Sequence, residues 1–125
     1  MPFAPSVTAE RARDYILKPK DIPAPYMIFC FDSVPEKTAA FCAGVHPYDG
    51  TARPQEVTQA DNPSYYRLIK YYGEITGEEI ILNTSFNLHG FPIAYTPEQA
   101  LATFDNSGLQ HLALGSFLVS KLDGF

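Results

Sequence analysis

Apolar positions recur at helical spacing between Thr8 and Leu17, where Ala9, Ala12, Tyr15 and Ile16 share a face and Pro19 ends the pattern. This predicts a short helix over 8–17, followed by a loop over 18–25. Tyr26-Met-Ile-Phe-Cys-Phe31 is an unbroken apolar and aromatic run bounded by prolines and Asp32, which predicts a buried strand. Residues 39–45 read as another strand, leading into a polar, turn-rich loop over 46–54. The clearest helix follows: Asn62 can cap it, Pro63 suits its first position and Gly77 suits the position just past its end. Tyr65, Leu68, Ile69, Tyr72 and Ile75 make its apolar stripe. Glu79-Ile-Ile-Leu-Asn83 is a short apolar run that ends in polar residues. Thr96-Pro-Glu-Gln99 has capping-box spacing with proline at the first helical position, and the helix it starts should turn Ala100, Leu101 and Phe104 inward. His111–Leu114 and Phe117–Leu122 read as two closing strands around Gly115. Strands alternating with helices predict an α/β fold, a mixed twisted sheet covered by helices.

Length and composition narrow this picture. A chain of 125 residues suits one compact domain, 1–125, and its 46% apolar content is enough for a core and too much for a disordered tail. No apolar run of about 18 residues exists, so no membrane span is predicted. The opening residues lack the basic-then-apolar order of a signal peptide, which makes a cytoplasmic location the default. The net charge of −5 argues against long nucleic acid, which needs a basic stripe, but one or two placed arginines suffice for a nucleotide phosphate. Cys30 and Cys42 do not form a CxxC pair. Cys30, inside its apolar run, reads as a small core residue. His46, His89 and His111 stand far apart, so no metal site is expected.

Three segments concentrate polar residues where a sheet should end: Pro2-Phe-Ala-Pro-Ser-Val7, Asp49-Gly-Thr-Ala-Arg-Pro-Gln55 and Leu82-Asn-Thr-Ser-Phe-Asn-Leu-His-Gly-Phe-Pro92. Strand ends in α/β sheets commonly hold ligands, because loops there expose backbone N–H groups and short polar side chains. Asn83, Thr84, Ser85 and Asn87 offer uncharged donors and acceptors, and Arg53 offers a planar cationic fork for phosphate or carboxylate. That is the composition of a small anion site. On spacing alone, loop caps and turn formers explain the same residues.

The segments PFAPSV, DGTARPQ, NP-x-YY-x-LI, LNTSFN-x-x-G-x-PI, TPEQA and LALGSFLV, in that order, resemble the C-terminal domain of carbamoyltransferases of the nodulation-protein and antibiotic-biosynthesis type. The likeness spans nearly the whole chain. Thr84–Pro92 is also similar to the TSAN-x-SG-x-P segment of the threonylcarbamoyl-adenylate synthases, which implies a YrdC-like fold. The resemblance implies a domain that binds ATP, with its Mg²⁺, and carbamoyl phosphate, and that forms carbamoyl-adenylate. A separate N-terminal domain of the actin-like ATPase class would pass the carbamoyl group to a hydroxyl. Arg53 matches the motif arginine and would contact phosphate or the carbamoyl oxygen. Asn83 and Ser85 would hydrogen-bond the adenylate or carbamoyl part, and Asn87 and Thr51 would join the same pocket.

The chain departs from the family pattern at two places. Met1 stands where relatives carry an arginine, with a lysine expected further upstream, so weak or absent activity is expected of the chain alone. His46-Pro-Tyr-Asp-Gly-Thr51 is one residue longer than the family's H-x-D-G-T, so no family role is carried to His46 or Asp49, and His46 reads as a loop histidine. Ser116 lacks the flanks of a nucleophile elbow and reads as a strand residue. Tyr65, Tyr66, Tyr71 and Tyr72 read as core and rim, and Phe3 and Phe86 as packing residues. A second reading keeps the fold and treats the chain as a nucleotide-binding or protein-docking remnant without turnover. Either way, a face normally covered by the partner domain should leave a large apolar patch exposed or drive homo-oligomer formation.

Overall fold

The computed structural model describes residues 2–121, so the expectations for Met1 and Leu122 lie outside the described residues. The chain divides into two compact units, residues 1–84 and 85–125. The architecture is mixed α/β, but among the described residues the strands form three small sheets in place of the one sheet expected.

The first unit is built around β1 (Ala4–Thr8), which is buried along its whole length. It lies between β5 (Gln55–Val57), to which it is parallel, and β6 (Ile80–Asn83), to which it is antiparallel. The segment that reads as a sheet-end loop is therefore the sheet's central strand. Its prolines and small side chains suggest a loop, yet β5 pairs only with Ser6–Thr8, so Pro5 sits where that neighbour is missing and its lost donor is tolerated. Val7 packs with Tyr15, Ile16, Phe41 and Ile80 in the core.

The helix expected over 8–17 is shorter than its pattern. A 3₁₀ turn, Ala9–Arg11, leads into a single α turn, α1 (Ala12–Tyr15). Ile16 then turns extended (φ −126°, ψ 128°) and enters β2 (Ile16–Leu17). Pairing to β3 (Phe31–Ser33) ends the helix before Pro19 can. β3 pairs in turn with β4 (Thr51–Ala52).

Two strand expectations are corrected. Over 26–31 only Phe31 is strand. Tyr26 and Ile28 are 75% and 69% exposed, and Cys30 is exposed rather than in the core. Met27, at φ 54°, stands in the left-handed region, where an extended run cannot continue. Residues 39–44 fall in a 3₁₀ run, Pro35–Gly44, broken at Phe41 (φ −142°, ψ 36°), and only Val45 pairs, in an isolated bridge to Ala52. The break lets the Phe41 ring meet Tyr15 edge-on at 6.0 Å between centroids, and burying that ring outweighs a regular strand.

The helix α2 (Pro63–Thr76) has the expected bounds. The Asn62 side chain accepts from the Tyr65 N–H at 3.1 Å, and Gly77 closes the helix at φ 82°. Its expected stripe is buried only in part. Ile69 is fully buried, while Leu68, Tyr72 and Ile75 are 55%, 42% and 86% exposed. The helix meets the sheet along Ile69 and Gly73, where the missing side chain of Gly73 makes room for Glu79.

In the second unit, α3 (Pro97–Asp105) starts with the capping box of Thr96 and Gln99. Ala100 and Phe104 are buried, but Leu101 is 39% exposed. The hairpin β7 (His111–Leu114) and β8 (Phe117–Ser120) closes around Gly115 at φ 59°. Ser116 lies in that turn and not in a strand. Lys121 rests its ammonium 4.9 Å from the Phe104 ring and donates to the Ser107 carbonyl at 2.6 Å. No helix among the described residues is long and apolar enough to cross a membrane.

Candidate functional site

Parallel pairing of β1 and β5 sets Ser6 directly beside Gln55, and antiparallel pairing with β6 sets Ala4 beside Asn83. The Ser6 hydroxyl donates to Gln55 Oε1 at 2.9 Å, and Asn83 Nδ2 donates to the same oxygen at 2.8 Å. Asn83 Nδ2 also lies 3.9 Å from the sulfur of Met27. Arg53, exposed between β4 and β5, reaches the Met27 carbonyl with Nη1 at 3.4 Å, the outer limit of a hydrogen bond. Arg53 and Asn83, from two separate motif segments, thus meet around Met27.

Like Lys20 and Arg67, and unlike three lysines of the first unit, Arg53 makes no ion pair among the described residues. Lys18 pairs with Glu56, Lys37 with Glu78 and Lys70 with Glu79. Among the described residues Arg53 has no carboxylate partner, so its fork stays open to an anion. Thr51 is spent locally, its N–H and hydroxyl both donating to Asp49 Oδ1, at 3.0 and 2.8 Å. Those two bonds hold the Asp49 carboxyl below the usual range. His46 Nδ1 is 3.4 Å from the same carboxylate, within the turn that Gly50 closes at φ 71°.

Ser85 and Asn87 belong to the second unit. The Ser85 hydroxyl donates to Asn87 Oδ1 at 2.5 Å, and Asn87 Nδ2 donates to the carbonyls of Leu88 and Phe91, both at 3.0 Å. Asn87 therefore fastens the turn that Gly90 makes at φ 83°, and it orients Ser85.

Ser6, Gln55 and Met27 were not singled out from the sequence. Ser6 and Gln55 stand inside the PFAPSV and DGTARPQ segments, so a strand pairing of those two segments would have exposed them. Met27 carried no such signal, because its apolar neighbours made the whole run look buried.

A second polar cluster sits at the other end of β6. The Tyr15 hydroxyl donates to Glu78 Oε2 at 2.8 Å and accepts from the Glu79 N–H at 2.8 Å. Burial, then the Glu78 bond, push the Tyr15 phenol up to about 12. Glu78 is held below the usual carboxyl range, first by Lys37 and then by Tyr15. Burial pushes Glu79 upward, but hydrogen bonds from Lys70 and Thr8 outweigh it and leave the group low. The groups satisfy one another, which marks a structural network. A cavity of about 480 Å³ elsewhere in the first unit is lined by Arg13, Lys18, Asp21 and Glu56, whose charges are likewise paired among themselves.

Comparison with known proteins gives the family. Residues 1–121 match the family described as carbamoyltransferase C-terminus. An uncharacterized protein of Methanocaldococcus jannaschii is 41% identical over 120 residues, covering 96% of this chain and 19% of the relative. The nodulation protein NolO of Bradyrhizobium diazoefficiens is 36% identical over 121 residues, covering 96% and 22%. The 3'-hydroxymethylcephem-O-carbamoyltransferase of Amycolatopsis lactamdurans is 26% identical over 105 residues, covering 84% and 20%. The chain spans about a fifth of the length of these relatives. A match along nearly its entire length means that this chain belongs to the carbamoyltransferase C-terminus family.

Proposed function

We propose that the chain is the ATP- and carbamoyl-phosphate-binding part of an O-carbamoyltransferase, forming carbamoyl-adenylate in a YrdC-like domain. The observation that carries this reading is the open guanidinium of Arg53, brought to the amide of Asn83 around Met27. An unpaired cation beside an uncharged hydrogen-bonding group suits a phosphate joined to a neutral carbamoyl or nucleoside part.

In the proposed reaction, water cleaves carbamoyl phosphate to carbamate and phosphate. A carbamate oxygen then attacks the α-phosphorus of ATP, a C–O–P link forms, the α–β anhydride breaks and pyrophosphate leaves. Negative charge grows on the phosphoryl oxygens in the transition state, so a fixed guanidinium stabilises it more than the ground state. Thr51 braces the turn that leads to Arg53, and within the second unit Asn87 orients the Ser85 hydroxyl. Mg²⁺ comes as the counter-ion of the nucleotide. Among the described residues no group of three His, Cys, Asp or Glu side chains is placed to hold a metal by itself. The remaining four-fifths of the relatives' length leaves room for the N-terminal actin-like domain, which would move the carbamoyl group to the acceptor hydroxyl and release AMP.

Calorimetric titration with ATP and with carbamoyl phosphate tests the reading. Saturable binding that Arg53→Ala weakens by about tenfold or more, the worth of a charged hydrogen bond, supports it. Equal binding by the variant would remove Arg53 from the site.

A further inference from the structure

Asn83 is wired to present only an acceptor. One of its N–H bonds goes to Gln55 Oε1 at 2.8 Å, and the same nitrogen faces the Met27 sulfur at 3.9 Å. Sulfur accepts weakly and cannot donate, so the nitrogen of the amide, not its oxygen, belongs on that side. Gln55 points its own oxygen inward for an independent reason. Ser6 has no exposed surface, and Gln55 Oε1 is the sole acceptor for its hydroxyl proton among the described residues. Turning the Gln55 amide over would leave a buried hydroxyl proton without a partner, which folded proteins rarely tolerate. Ser6 thus sets Gln55, and Gln55 sets Asn83. The Asn83 carbonyl oxygen, half-buried at the end of β6, accepts no hydrogen bond among the described residues.

We infer that Asn83 reads an amino group on the ligand, and that Ser6 and Gln55 are the positioning residues that keep its oxygen turned toward it. The inference rests on the proposed nucleotide and carbamoyl phosphate site. Its division of labour is chemical: the Arg53 guanidinium recognises anionic oxygen, whereas an acceptor-only Asn83 rejects anionic oxygen and takes an N–H donor. Two parts of the proposed ligands carry such a donor, the carbamoyl amino group and the exocyclic amine of adenine.

Four titrations of the wild-type chain separate them. Acetyl phosphate replaces the carbamoyl NH₂ by a methyl group of similar size, and inosine triphosphate replaces the adenine amine by a carbonyl. One lost hydrogen bond weakens binding by about three- to tenfold. That loss for acetyl phosphate against carbamoyl phosphate assigns the carbamoyl amino group. The same loss for inosine triphosphate against ATP assigns the adenine amine. Gln55→Leu, and Ser6→Ala as a smaller change, should erase the preference. Gln55→Glu should keep it, because a carboxylate accepts from both Ser6 and Asn83. The readout is the ratio of two affinities, which general weakening of the site leaves unchanged. Binding of all four compounds without preference would overturn the inference while leaving the site intact. Binding of none would overturn the proposed site, and the inference with it.

Discussion

Gly73 of α2 lies so close to Glu79 that a Cβ atom there would stand 2.4 Å from Glu79 Cγ. Glu79 cannot swing aside freely, because Thr8 donates to it at 2.7 Å and Lys70 at 2.7 Å. Alanine normally gains about 1 kcal/mol over glycine inside a helix. Here the clash decides the sign. Gly73→Ala is expected to destabilise the first unit by about 1–3 kcal/mol, read as a lower urea midpoint with an unchanged slope. A stabilised variant would show that α2 does not lie on β6 along this line.

The exposed stripe on the same helix makes the opposite prediction. Leu68 and Ile75 are 55% and 86% exposed, so Leu68→Gln and Ile75→Gln should change the stability of the chain by no more than about 0.5 kcal/mol. A loss of about 2 kcal/mol or more in equilibrium unfolding would mean that the stripe is buried in solution.

Acid should unfold the chain through the cluster at the start of β6. Glu78 and Glu79 titrate below their ordinary value of 4.5 when folded. Their contribution is fully present above 4.5 and is lost as the pH falls through the lowered folded values, since the unfolded chain takes up the protons first. Melting temperature measured from pH 7 down to pH 3 should fall, and more gently in Glu78→Gln. Tyr15 acts at the alkaline end. With its phenol at about 12 against an ordinary 10, its contribution is lost as the pH rises from 10 through 12. Absorbance titration should find Tyr15 ionising late, with Tyr66, bonded to Glu10, shifted in the same direction.

The two thiols give a direct check of the loop over 26–30. Cys30 and Cys42 are both exposed, and both should react with a thiol reagent without denaturant. A Cys30 that reacts only on unfolding would restore the buried strand expected from its neighbours.

Local chemistry was legible wherever a few adjacent residues decide a structure. Asn62, Pro63 and Gly77 bound α2, and Thr96 and Gln99 start α3, because caps act within one turn. The order of six motif segments was equally legible and led to the family. Long-range pairing was not. The stripe of α2 names five apolar residues, but only docking on the sheet selects Ile69 and Gly73 as the line of contact. The run over 26–31 has the composition of a strand, yet Met27 turns left-handed and its carbonyl and sulfur face Arg53 and Asn83.

Residue order is enough to assign the family, the helix ends and the presence of Arg53 and Asn83 in polar segments. It takes the folded chain to show that Ala4–Thr8 is the central strand of its sheet, and that Ser6 meets Gln55 and, through it, Asn83. The physical reason is separation: Ser6 and Gln55 are 49 residues apart and Gln55 and Asn83 are 28 apart. No local preference encodes which strand lies beside which. That choice belongs to the burial of β1 between two neighbours, where every polar side chain must find a partner.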